Sequence, residues 1–207
     1  MHFGKPLEAA LIAAWAAIGC VQIDGQDDDG HDHDTEVISR VELRFTPSDG
    51  GDGGDPIVAA FSDPDGDGGV SGESEPIALA LGVEYTLSIA LLNDLEDPPV
   101  DIGAEIEEEA EEHMVFITDD AGLLSHAYAD LESDYGADAI GDDLPVGLVH
   151  TVAADVAGAG NFRVVLRHLP ELNGSPQKTA GLEQRFADGE ALPGDVDVDV
   201  SFALTVQ

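Results

Sequence analysis

The chain has 207 residues, 43% hydrophobic but only 5% aromatic, and its 44 Asp and Glu against 7 Lys and Arg give a formal charge of −37. That balance excludes binding to nucleic-acid phosphates and disfavours adsorption to anionic headgroups; it favours solubility and cation binding, although a salt-adapted organism gives the same composition with no specific function. A single cysteine, Cys20, excludes an intrachain disulfide, a four-cysteine zinc site and a redox pair.

Residues 1–20 have the layout of an export signal: a basic Lys5, then a largely apolar run from Leu7 to Ile18, too short to span a bilayer. The run ends Ala17-Ile18-Gly19-Cys20, which resembles the lipobox of bacterial lipoproteins, where the chain is cut before a cysteine that is then acylated. Ala17 in place of the commoner Leu and Glu8 inside the run depart from that pattern. A plain signal peptide or a buried N-terminal helix is the alternative. The position of the one cysteine at the end of the apolar run, before a polar stretch, favours the lipid anchor. Residues 21–36 carry Asp27-Asp28-Asp29-Gly30-His31-Asp32-His33-Asp34 and too few large apolar side chains for a core. They are expected to be a disordered acidic tether, with His31 and His33 offering at most a weak chelate.

From Val37 the hydrophobic period becomes two. Val37, Ser39, Val41, Leu43 and Phe45 share one face of a first strand, and Ile57–Ser62 forms a second. Asp63-Pro64-Asp65-Gly66-Asp67-Gly68-Gly69 has the oxygen spacing and the glycine of a calcium loop, with Asp63, Asp65 and Asp67 as ligands. The twelfth loop position is Ser74 instead of a bidentate glutamate, so an Asp/Gly turn between strands competes with calcium here. Ile77, Leu79 and Leu81 mark a third strand, and Val83, Tyr85, Leu87, Ile89 and Leu91 a fourth.

After Asp97-Pro98-Pro99, Asp101 is placed to cap a short helix with Ile102, Ile106 and Ala110 on its inner stripe. Glu107, Glu108, Glu111 and Glu112 then point to water, and His113 leaves the seam at the C-terminal end, where the helix dipole favours a cation. Met114–Thr118 is a fifth strand; Leu124, His126 and Tyr128 mark a sixth, and Leu148, His150 and Val152 a seventh. Ala157–Asn161 is predicted to turn the chain into an eighth, with Phe162, Val164, Leu166 and His168 on one face. Residues 171–194 are expected to be a long loop holding Lys178 and Arg185. In the last strand Val196, Val198, Val200, Phe202, Leu204 and Val206 are expected inward, and Asp195, Asp197 and Asp199 outward. Eight or nine short strands with turn chemistry between them predict an all-β fold: one antiparallel, Ig-like β-sandwich over residues 37–207 with one short acidic helix.

No G-x-S-x-G, no second cysteine and no phosphate loop are present, and carboxylates are too numerous to single out a catalytic pair, so an enzyme is not expected. The residues that point to chemistry are histidines. His113 and His168 each end an apolar stripe at an element terminus, and a neutral imidazole there can ligate a transition metal such as zinc or copper, or a haem iron. Glu109, one helical turn before His113, is the candidate third ligand or hydrogen-bond partner. Two ordinary histidines bonded to loop backbone are the plainer alternative. His126 and His150 lie mid-strand and read as surface or core-edge residues.

Taken together, Cys20, the acidic tether, Glu36-Val37-Ile38, the 63–69 loop, Glu105–His113, Val164-Val165-Leu166-Arg167-His168 with Pro170, and Asp195–Val200 make most of residues 20–207 resemble a family of small lipoproteins familiar from Bacteroidota. Its members often carry the description "type 1 periplasmic binding fold superfamily protein". That description implies two α/β lobes, whereas the strand pattern predicts one β-rich domain. The resemblance implies an outer-membrane lipoprotein, periplasmic or surface-facing, engaged in uptake of a small nutrient or metal alongside a TonB-dependent receptor. This tether holds fewer histidines than the family leads one to expect, which counts against a chelator in the tether. A calcium-stabilised structural or adhesive surface module, with no small-molecule ligand, is the other reading.

Overall fold

The two-residue period carries through to three dimensions. The computed structural model describes Met1 and residues 37–48, 54–64, 72–136 and 142–207. The export signal, Cys20, the tether, and Asp65 and Asp67 of the acidic loop lie outside the described residues. Eleven strands are present among those described: β1 (Arg40–Pro47), β2 (Ile57–Ser62), β3 (Glu73–Ser74), β4 (Ile77–Leu79), β5 (Glu84–Asn93), β6 (Val100–Asp101), β7 (His113–Asp119), β8 (Leu124–Tyr128), β9 (Val149–Ala154), β10 (Gly158–His168) and β11 (Asp195–Val206). Two short helices, α1 (Ile102–Glu108) and α2 (Leu182–Ala187), and a 3-10 turn at Glu132–Tyr135 complete the described structure.

One sheet runs β3-β2-β1-β5-β9-β8, with β6 also on β5, and the other runs β4-β11-β10-β7. Every pairing is antiparallel except β4 with β11. The architecture is therefore the predicted all-β sandwich, and Thr35–Gln207 forms a compact unit of its own. Alternation sets the core. Val41, Leu43 and Phe45 of β1, Tyr85, Leu87 and Leu91 of β5, and Phe162, Val164 and Leu166 of β10 turn inward, each large side chain stabilising the fold by about 1.5–3 kcal/mol. Phe45 meets Tyr85 and Phe162 edge-on, at ring-centre distances of 6.2 and 5.9 Å. Among the described residues no helix is long and apolar enough to cross a membrane.

Three local expectations change. The 171–194 stretch is not all loop: it carries α2, which drops Leu182 onto an outer-face cluster of Met114, Phe116, Val165 and Leu169. A six-residue helix with one buried side chain leaves too short a period to see in sequence. Gly158 and Gly160 belong to β10 instead of a turn. Their missing side chains make room for Leu123 and for Asp120 and Ala121, because a Cβ at Gly158 would lie 2.8 Å from Leu123 and one at Gly160 2.7 Å from both Asp120 and Ala121. In β11 the alternation slips by one residue near its start. A β-bulge opposite Leu166 and Arg167 pairs them with Val198 and Val196 and leaves Asp197 with no opposite number. Val196 is consequently 47% exposed, and Asp197 is partly buried.

Candidate metal centre

His113 and His168 meet because β7 and β10 are paired in a register that sets the two residues directly opposite. Val115 and Ile117 on β7, and Leu166 and Val164 on β10, fill the inner core, so the histidines end the two inner rows at the rim of the sandwich. Their rings stack, with centres 4.6 Å apart and planes 8° apart. Helix α1 supplies the third residue. It ends at Glu108, and a tight turn through Glu109, Ala110, Glu111 and Glu112 leads straight into β7. Ile102, Ile106 and Ala110 bury the helix and its turn against the core, which fixes where Glu109 stands.

Glu109, His113 and His168 each offer one ligand atom, and these atoms lie within 4.8 Å of one another. The Nδ1 of His113 donates to the Glu109 carbonyl at 3.3 Å and lies 3.7 Å from that residue's carboxylate. With the proton on Nδ1, the lone pair that a metal requires sits on Nε2. His113 is 1% exposed, and burial foremost, with help from His168, lowers its pKa to about 4. At neutral pH its imidazole is thus uncharged, the form in which a histidine ligates. Two imidazoles held about 2.0–2.1 Å from one zinc ion at a tetrahedral angle have ring centres about 5 Å apart, close to the spacing here, but the near-parallel planes require one ring to turn before both in-plane lone pairs meet at one ion. Ligand atoms on one zinc ion sit about 3.4 Å apart, and because the Glu109 carboxylate now lies beside Nδ1, its partly exposed side chain has to rotate toward Nε2 to share an ion with His113.

Several groups around this trio were not apparent in the sequence. Glu112 was expected to face water, yet its carboxylate lies 3.7 Å from Nε2 of His168, because the chain leaves helical geometry after Glu108. Lys178 was placed in a loop. It does lie in that loop, ahead of α2, but its side chain is buried, and its Nζ donates to the Ala110 carbonyl at 2.6 Å and to Glu132 at 2.8 Å. The lysine therefore clamps the turn that carries Glu109 to His113, and burial lowers its own pKa. Gly194 holds the far side. It has φ of +70°, and a Cβ there would come within 2.1 Å of the His168 carbonyl oxygen, so only glycine lets the chain pass so close.

Asp197 is the least expected neighbour. Burial raises its carboxyl to about 6 against the opposing pull of His168, which places the two groups within electrostatic reach. The remaining candidates stand apart from the trio. Asp63 is buried after β2, and its backbone N–H donates to the Ser39 carbonyl at 2.8 Å, while its two companions in the calcium pattern lie outside the described residues. His150 is fully buried and donates from Nε2 to the Gly147 carbonyl at 2.9 Å, while His126 is exposed. Neither a protein-family model, nor a curated protein, nor a solved structure matches this chain, so the chemistry of the site is argued from its own geometry.

Proposed function

We propose that the sandwich binds one transition-metal ion, zinc or copper(II), through His113, His168 and Glu109. The observation that carries this reading is the convergence of two stacked cross-strand imidazoles and a carboxylate within 4.8 Å at the rim of the fold. Two nitrogens and one oxygen suit zinc or copper better than calcium or magnesium, which prefer all-oxygen shells. A small ion is also favoured over haem, whose paired axial histidines would have to approach the iron from opposite faces, not stack side by side. The acidic surface concentrates cations around the protein and so assists capture. The apolar run ending at Cys20 and the acidic tether support an extracytoplasmic, lipid-anchored location, and the family resemblance extends this to an outer-membrane uptake system with a TonB-dependent receptor as recipient.

Calorimetric titration of the purified protein with Zn²⁺ and Cu²⁺ tests the reading. One equivalent is expected to bind, and His113→Ala or His168→Ala is expected to weaken binding by about 100-fold or more, since loss of a mere supporting residue already costs about 10–100-fold. Equal titrations for the wild type and both variants would sink the proposal.

A further inference from the structure

One contact of the trio has no role in the metal reading so far. The Oε2 atom of Glu112 lies 3.7 Å from Nε2 of His168. Its carboxylate is not among the ligand atoms that converge within 4.8 Å, which come from Glu109, His113 and His168. Glu112 therefore stands beside a ligand and not beside the ion. A histidine that ligates through one ring nitrogen gives the other, as N–H, to an outer acceptor that sets its tautomer and orientation. His113 has such an acceptor in the Glu109 carbonyl, 3.3 Å from Nδ1. For His168 the group in the matching place is Glu112.

Backbone geometry puts it there. The Glu112 N–H donates to the Glu109 carbonyl at 2.9 Å, and the Glu112 carbonyl accepts the N–H of Leu169, the residue after His168, at 2.5 Å. Lys178 holds the middle of the same turn at the Ala110 carbonyl. One pinned turn thus delivers two glutamates to two histidines, Glu109 at 3.7 Å from His113 and Glu112 at 3.7 Å from His168. Within the charge run this separates Glu112 from Glu107 and Glu108, which are exposed. The stacked rings need one member to turn before they share an ion. His168, with its side chain 19% exposed against 1% for His113, is the one with room. A separation of 3.7 Å is longer than the about 2.7–3.2 Å of an N–H···O bond, so the carboxylate attracts the ring without gripping it. Metal on the other nitrogen polarises the N–H and draws the carboxylate in.

We infer that Glu112 is a positioning residue of the metal centre: it accepts the Nε2–H of His168 and thereby directs Nδ1 of that ring to the ion. This rests on the trio being a metal site.

Nitrogen NMR of the ¹⁵N-labelled, zinc-loaded protein reads which nitrogen of His168 carries the proton and which the metal. Zn²⁺ affinity is measured beside it in the wild type, Glu112→Ala, Glu112→Gln and Glu108→Ala. The expected spectrum has metal on Nδ1 and the proton on Nε2. Glu112→Ala is expected to weaken Zn²⁺ binding about 10-fold or more, and Glu112→Gln, which keeps an acceptor oxygen, to recover part of that loss. Glu108→Ala removes the same charge from the exposed face and is expected to change affinity by about 2-fold or less. Zinc on Nε2 of His168 in the wild type would overturn the assignment, and that measurement requires no substitution. Equal affinities for Glu112→Ala and Glu108→Ala would overturn it too. In both cases the trio stands, because the wild type still binds zinc. A wild-type protein that binds no zinc would remove the trio and this inference together.

Discussion

Replacing Lys178 with alanine lowers the unfolding free energy by about 3–5 kcal/mol, the cost of leaving one member of a buried ion pair without its partner. Lys178 and Glu132 are both buried, and their charged atoms are 2.8 Å apart. Glu132 has further work, because its carboxylate also accepts from the Leu144 backbone at 3.2 Å. Beside it, Asp130 accepts from the backbone N–H groups of Gly147, Leu148 and Val149 and from the Tyr135 hydroxyl. Losing the lysine thus leaves a carboxylate buried next to a second one. The double variant Lys178→Met with Glu132→Gln removes both charges, keeps an acceptor for Leu144, and should recover most of the loss. Urea unfolding of the three proteins decides the point. A loss below about 1 kcal/mol in Lys178→Ala would show the pair to be dispensable. The alanine variant should also bind zinc more weakly, because the Ala110 carbonyl that Lys178 holds belongs to the turn between Glu109 and His113.

Acid should destabilise the domain by an even larger amount. Burial lowers His113 to about 4, and burial together with His126 lowers His150 to about 3, against ordinary values of 6.5. Between those limits the unfolded chain binds protons that the folded chain refuses. Stability is therefore full above about pH 6.5 and falls as the pH drops toward the folded values. Each histidine contributes a loss of about 3 kcal/mol by pH 4, and the two together rival the whole stability of a typical domain. Asp197 acts in the opposite sense, since its raised carboxyl takes up a proton earlier when folded than when unfolded. His150 separates the terms, because it lies away from the metal residues and faces His126 and Tyr128. In a chelator-containing buffer, His150→Gln should lose about 3 kcal/mol less than the wild type between pH 6.5 and 4. Parallel curves for the two proteins would show that His150 does not carry the effect.

The fold was legible wherever alternation is strict. Val41, Leu43 and Phe45, or Phe162, Val164 and Leu166, allow one orientation only, and the sandwich follows from stacking such faces. His168 was legible for the same reason, since it extends an inward row by one step; His113 was expected at the end of the helix seam, whereas α1 stops at Glu108 and His113 opens β7. What was not legible depends on events between strands. The bulge that brings Asp197 inward arises from a mismatch between β10 and β11, and β11 alone shows an unbroken Asp-Val alternation. The burial of Lys178 depends on a partner 46 positions earlier in the chain, Glu132, and on a backbone carbonyl, and neither leaves a local pattern. Glu112 looked solvated because the charge run gives no sign of where the helix ends.

X-ray absorption at the zinc edge, on protein loaded with one equivalent and freed of excess metal, tests the metal centre most directly. The account predicts a shell of light atoms with two nitrogen ligands at about 2.0–2.1 Å and the outer scattering of two imidazoles, lost in the His113→Ala/His168→Ala double variant. A shell of oxygens alone, or two imidazoles that persist in the double variant, would contradict it.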